Sequence, residues 1–158
     1  PNPFNGRLPG YAAAIDRHFA PYRAHPAVTR LRALADSQGF DFDAVHRLGL
    51  HLTPYPDLRP RVALDRPGDP RDRAWRQPAT AGFLEALRRF AADARADAFF
   101  AEQRALHDTL EARVRRVVAE RWDGPWFAAA VGVEPAGALS VALDPAMSGG
   151  ARGLAVAP

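Results

Sequence analysis

The sequence of 158 residues contains no cysteine and no lysine. The first absence removes disulfides, thiolate metal sites and cysteine nucleophiles together. It suits an oxidising or a reducing compartment equally, so it does not locate the chain. The second means that all 21 basic residues are arginine. Guanidinium stays charged at any ordinary pH, which gives a sequence pI near 10.1 on a net charge of only +3. The arginines are scattered among acids, as in Arg71-Asp72-Arg73 and Glu111-Ala112-Arg113. A nucleic-acid binder concentrates its charge on one face, so nucleic acid is not an expected partner.

Long apolar runs are also missing. The nearest, Trp126 to Leu143, is cut by Glu134 and Pro135, so no transmembrane segment is expected. No G-x-G-x-x-G or Walker A pattern occurs, which leaves dinucleotide and P-loop chemistry without support. The chain opens on Pro1-Asn2-Pro3, with neither an initiator methionine nor a basic-then-apolar leader. The expectation is a segment of something longer, or a chain from which a leader has been removed.

What is present is ordinary for a globular protein: 47% hydrophobic and 25% charged residues. A complete domain of this length buries roughly 68–70% of its unfolded surface and needs no disulfide or metal to hold together. Helical spacing dominates. Ala12, Ile15 and Phe19 share a face of a first helix, about Tyr11 to Phe19, which Pro21 ends or disturbs. Pro26 opens a second, with Val28, Leu31 and Leu34 as its stripe and Gly39 at its C-terminal stop. Asp41 is placed to cap a third, Phe42 to Leu52, which makes 1–53 a three-helix part.

Residues 54–78 hold six prolines among arginines and aspartates, and read as a long irregular connection with at most a short strand at Arg61–Leu64. In 79–132, Thr80 is expected to cap a fourth helix bearing Phe83, Leu87 and Phe90. A fifth runs from near Asp97 to Arg121 on Phe99, Leu106, Leu110, Val114 and Val117; the alternative is that the two are one helix with a weak point around Arg95–Asp97. Gly124-Pro125 stops it, and Pro125 to Gly132 makes a short apolar helix or turn. In 137–158, the runs 137–143 and 153–158 have strand character. Two short strands make a poor sheet alone, so they are expected to pair with strands outside the sequence.

Candidate chemistry is sparse. His46 and His51 look like a stretched H-E-x-x-H, but five residues apart on a helix is about 140° around it, where four would be about 40°. Arg47 stands where the activating glutamate would be. One histidine is expected to border the core and the other to face solvent; this is not a zinc site. His18 and His25 share a face only on a helix unbroken by Pro21. His107 and Glu111 form a true i,i+4 pair, but with no third ligand a helix-surface hydrogen bond is expected. Ser148 in Ala-Met-Ser-Gly-Gly matches a relaxed nucleophile elbow, yet the glycines around it oppose the helix an elbow needs. Trp126, Phe127, Phe99 and Phe100 read as core, since a sugar-binding platform requires exposed rings.

Four stretches taken in order, 11–28, 42–52, 83–114 and 126–150, resemble the N-terminal half of a bacterial family catalogued as a domain of unknown function. Its members look like gluzincin-type zinc metallopeptidases. The resemblance spans most of the chain, through packing and turn patterns. It implies that zinc is the cofactor of the full-length family and that a peptide or protein is the substrate. It also implies that the H-E-x-x-H helix lies beyond Pro158, and that a segment preceding Asn2-Pro3-Phe4-Asn5 is missing. No residue here matches the zinc ligands or the catalytic glutamate, so no catalytic or metal residue and no cofactor is assigned to this chain.

In zincins an edge strand beside the active-site helix pairs with substrate backbone. The resemblance therefore implies that role for Leu139, Ser140, Val141, Ala142 and Leu143, against the alternative of an interior strand. Family members often look exported, which favours an extracytoplasmic location.

The expected fold class is α+β: a mostly helical segment of about five helices followed by a short β-strand pair, part of a larger zincin-like domain. The expected function is the non-catalytic, cleft-supporting portion of a metallopeptidase-like protein. The alternatives are a self-contained helical interaction module, in which loop 54–78 engages a partner, and a degenerate family member that has lost its metal site.

Overall fold

The structure is a computed structural model that describes residues 8–40, 42–61, 63–64, 75, 78–131 and 144–146. Its elements are α1 (Pro9–Phe19), a 3-10 turn (Ala20–Tyr22), α2 (Pro26–Gln38), α3 (Phe42–Leu50), α4 (Pro78–Asp93), α5 (Ala96–Glu102), α6 (Arg104–Arg121) and α7 (Gly124–Val131).

Proline begins three of these helices. Pro9, Pro26 and Pro78 each occupy the first helical position, where the missing N–H has no intrahelical use and the fixed φ is already helical. That is why α1 starts ahead of Tyr11 and α4 ahead of Thr80. Thr80 is therefore not a cap: it sits inside the first turn of α4 and is fully buried. At the other end of α2, Gly39 adopts φ 65°, and its N–H bonds the Leu34 carbonyl, as its position in the sequence predicts. α4 closes in the same manner with a less suited residue. Arg95 takes φ 48°, and its N–H reaches the Ala92 carbonyl at 3.0 Å.

Two compact units divide the chain, Pro1–Ala98 with Pro145–Pro158, and Phe99–Asp144, and the division falls inside α5. In the first unit α2 packs along α4. Leu34, Phe40, Ala44, Leu48, Phe83 and Leu84 form its core. Trp75 completes it at 1% exposure, with its indole Nε1–H donating to the Ala44 carbonyl at 2.9 Å. That bond satisfies the one polar atom a buried tryptophan carries.

Residues 52–61 form a closed loop on this unit. Thr53 N–H donates to the Arg59 carbonyl at 2.7 Å, Arg59 N–H to Thr53 Oγ1 at 2.8 Å, and Arg61 N–H to the His51 carbonyl at 2.7 Å. Arg88 on α4 holds the loop from outside, Nε on the Asp57 carbonyl at 2.9 Å and Nη2 on the Leu58 carbonyl at 3.1 Å.

In the second unit, α6 contains no buried residue. Its Leu106, Leu110 and Val114 are half-buried, whereas Val117, Val118 and Trp122 are exposed. The expected single helix from Asp97 to Arg121 is broken at Gln103, whose φ −91° and ψ 0° end α5 and begin α6.

The expected α+β class is corrected. The chain is mostly helical, and no β-strand occurs among the described residues. Of the short strand expected at Arg61–Leu64, the described residues Arg61, Ala63 and Leu64 are not strand, and the isolated bridge nearby pairs Leu52 with Pro60. Pro54, Pro56 and Pro60 lack the N–H groups that a ladder requires. The expected terminal strand pair drew on two short apolar runs with no further strand in the sequence to stabilise them. Those runs, including Leu139 to Leu143, and also Asp41 and Ser148, lie outside the described residues.

Candidate functional site

His25 makes the most informative polar contacts of the first unit. It is the N-cap of α2, with extended φ −61° and ψ 146°. Its Nδ1 accepts the Ala27 N–H at 3.1 Å, and its Nε2 lies 3.2 Å from Asp93 Oδ2. A lone pair is needed at Nδ1 to accept, so the proton sits on Nε2 and is donated to the carboxylate. Both ring nitrogens are thereby occupied, and neither can act as a general base or a metal ligand without breaking a bond of the fold.

His18 has a parallel task. Its Nε2 stands 2.7 Å from the Ala94 carbonyl, which can only accept, so this nitrogen too carries the proton. Two histidines from α1 and from the α2 cap thus meet the last residues of α4, where cationic or donor groups complement the helix dipole. Phe90, one turn earlier, lies among their neighbours: Phe19 stacks on it at 5.6 Å, while Tyr22 and His25 meet it edge-on at 6.1 and 5.3 Å.

Beside His25 a groove of about 300 Å³ runs between α2 and α4. Arg30, Gly82, Glu85, Arg89 and Asp93 line it with His25. Glu85 and Arg89 pair with each other one turn apart, and Asp93 holds His25. Arg30 lies across Gly82, where a β-carbon would stand 2.7 Å from its Nη1. Among the described residues Arg30 makes no ion pair, so the groove can offer one guanidinium to an anionic group. Its lining side chains include neither cysteine nor serine, and its imidazole, His25, is held by the Ala27 N–H and Asp93.

The remaining expected sites fall apart in space. His51 is not on the helix of His46: α3 ends at Leu50, and His51 turns into the core at 4% exposure, edge-on to Trp75 at 5.0 Å. The expectation that one histidine only borders the core is corrected by that burial, while His46 is half-buried. Glu111 engages Arg115 on the next turn, Nε to Oε1 at 2.9 Å, and the His107 ring lies 6.3 Å from that of Phe100. Phe99 is buried as expected, but Phe100 is exposed and Trp126 is 67% exposed. No group of three His, Asp or Glu side chains able to hold a metal occurs among the described residues. These residues do not fit a zinc site.

Sequence reasoning missed the tasks of His18, His25 and Trp75. His25 immediately precedes Pro26, and a polar residue before an N1 proline is the N-cap position; that signal was available. Nothing local could have linked His18 to Ala94, 76 residues away. No protein-family model, curated protein or solved structure matches the chain.

Proposed function

We propose that the chain is a non-catalytic helical portion of a zinc metallopeptidase-like protein. The family resemblance supports the metallopeptidase context, and the commitment of His18 and His25 to the fold supports the non-catalytic role. The observation that carries the second point is the double engagement of His25 by the Ala27 N–H and Asp93. In this reading zinc and its ligands belong to other parts of the protein, and α2 and α4 supply a rigid support on which a substrate cleft is built.

A second reading, a helical interaction module, draws on Val117, Trp122 and Trp126, which expose apolar surface along α6 and α7. Both readings expect no hydrolysis from this chain. The test is digestion of an unfolded protein substrate by the purified chain in the presence of zinc. No turnover is expected. Hydrolysis that a chelator abolishes would contradict both.

A further inference from the structure

Leu106, Leu110, Val114, Val117 and Val118 share one face of α6, and the four-then-three step from Leu110 through Val114 to Val117 is that of a coiled-coil seam. The seam loses its cover toward the C-terminus, where Val117 is 46% exposed and Val118 beside it is exposed as well. Arg113 and Glu120 lie on one flank of the seam, two turns apart, and neither makes an ion pair among the described residues. On the other flank, Arg115 is already held by Glu111.

The charge order selects an occupant. Over 111–123, four arginines stand against three carboxylates, too even a balance for attraction to an anionic lipid surface. The same alternation is complementary to itself. If two copies of α6 run antiparallel about an axis between residues 115 and 116, Val114 of each faces Val117 of the other. Leu110 then meets the aliphatic stem of Arg121. Arg113 of each copy then comes level with Val118 of the other and within a half-turn of Glu120 on the same flank, so two ion pairs can form across the seam. Parallel pairing instead sets Arg113 against the other flank, that of Val118, and leaves both charges without a counterpart.

We propose that the exposed seam of α6 is a self-association surface, and that its partner is a second, antiparallel copy of this chain. The inference uses α6 alone and does not depend on the metallopeptidase reading. A seam of about three turns makes a small interface, so the dimer is weak and concentration-dependent.

Sedimentation equilibrium of the 158-residue chain tests it. The mass should rise with concentration from 17.2 kDa toward twice that value. Val117→Asp should hold the chain at monomer mass. Arg113→Glu alone, or Glu120→Arg alone, should weaken the dimer about tenfold, because two like-charge contacts replace two opposite ones. The double exchange should restore the dimer to within about twofold. All these side chains are surface ones, so the variants fold. A monomer at every concentration, a dimer indifferent to Val117→Asp, or a double exchange that fails to rescue would each overturn the proposal. So would a monomer that binds phosphatidylserine vesicles, which would assign the face to lipid.

Discussion

His25 shows at the scale of one residue how a group suited to catalysis becomes structural. Its imidazole substitutes for the Asp, Asn or Ser that usually caps a helix, and its far nitrogen ties α2 to Asp93 on α4. His25→Ala should therefore cost about 1 kcal/mol by chemical denaturation, while His25→Asn, which keeps the cap, should recover most of the loss. An equal loss in both variants would place the stabilisation in the Asp93 contact instead. Thr80 supplies the converse case. It is fully buried, and its hydroxyl has no hydrogen-bond partner among the described residues. Valine has the same shape without the hydroxyl. Thr80→Val should raise stability by about 1 kcal/mol, the lower end of what an unsatisfied buried polar group costs. A fall in the melting midpoint would show that the hydroxyl has a partner after all.

Elements follow from local signals where those signals are strong. Pro26 at the start of α2 and Gly39 at its end fix helix boundaries through backbone sterics alone and are legible in the sequence, whereas Pro9 and Pro78, which act in the same way, lay in stretches read as lead-in and connection. The break at Gln103 was not, because glutamine is a good helix former and the apolar spacing continues through it. The loop 52–61 was legible only as irregular. Its closed form depends on Arg88, about 30 residues further along the chain. The guanidinium fork spans two adjacent carbonyls, a geometry that a lysine ammonium does not reproduce. Arg88→Ala should cost about 1 kcal/mol for two half-exposed bonds from a charged donor. It should also speed tryptic cleavage after Arg61, and Arg88→Lys should repair neither effect fully. Unchanged cleavage in both variants would mean that the hydrogen bonds within the loop suffice to hold it.

At the scale of the whole molecule, the helical character was readable because it rests on periodicity, which many residues state redundantly. The expected strand pair rested on two short runs, and the candidate site on pairings between residues far apart in sequence. Periodicity says which face of a helix is apolar, not which residue of another helix meets it. The helix angle drawn between His46 and His51 did not apply, because α3 ends at Leu50, and neither His51 inside the core against Trp75 nor His18 on the end of α4 could be foreseen. Among the described residues His18 and His25 bond to the end of α4 and His51 is buried against Trp75, so each serves the fold. The most direct measurement is a zinc titration of the ¹⁵N-labelled chain, following the imidazole nitrogens of all five histidines. His18 and His25 should appear as Nε2–H tautomers and keep their shifts through one equivalent of zinc. Three imidazoles moving together and saturating at that equivalent would contradict it.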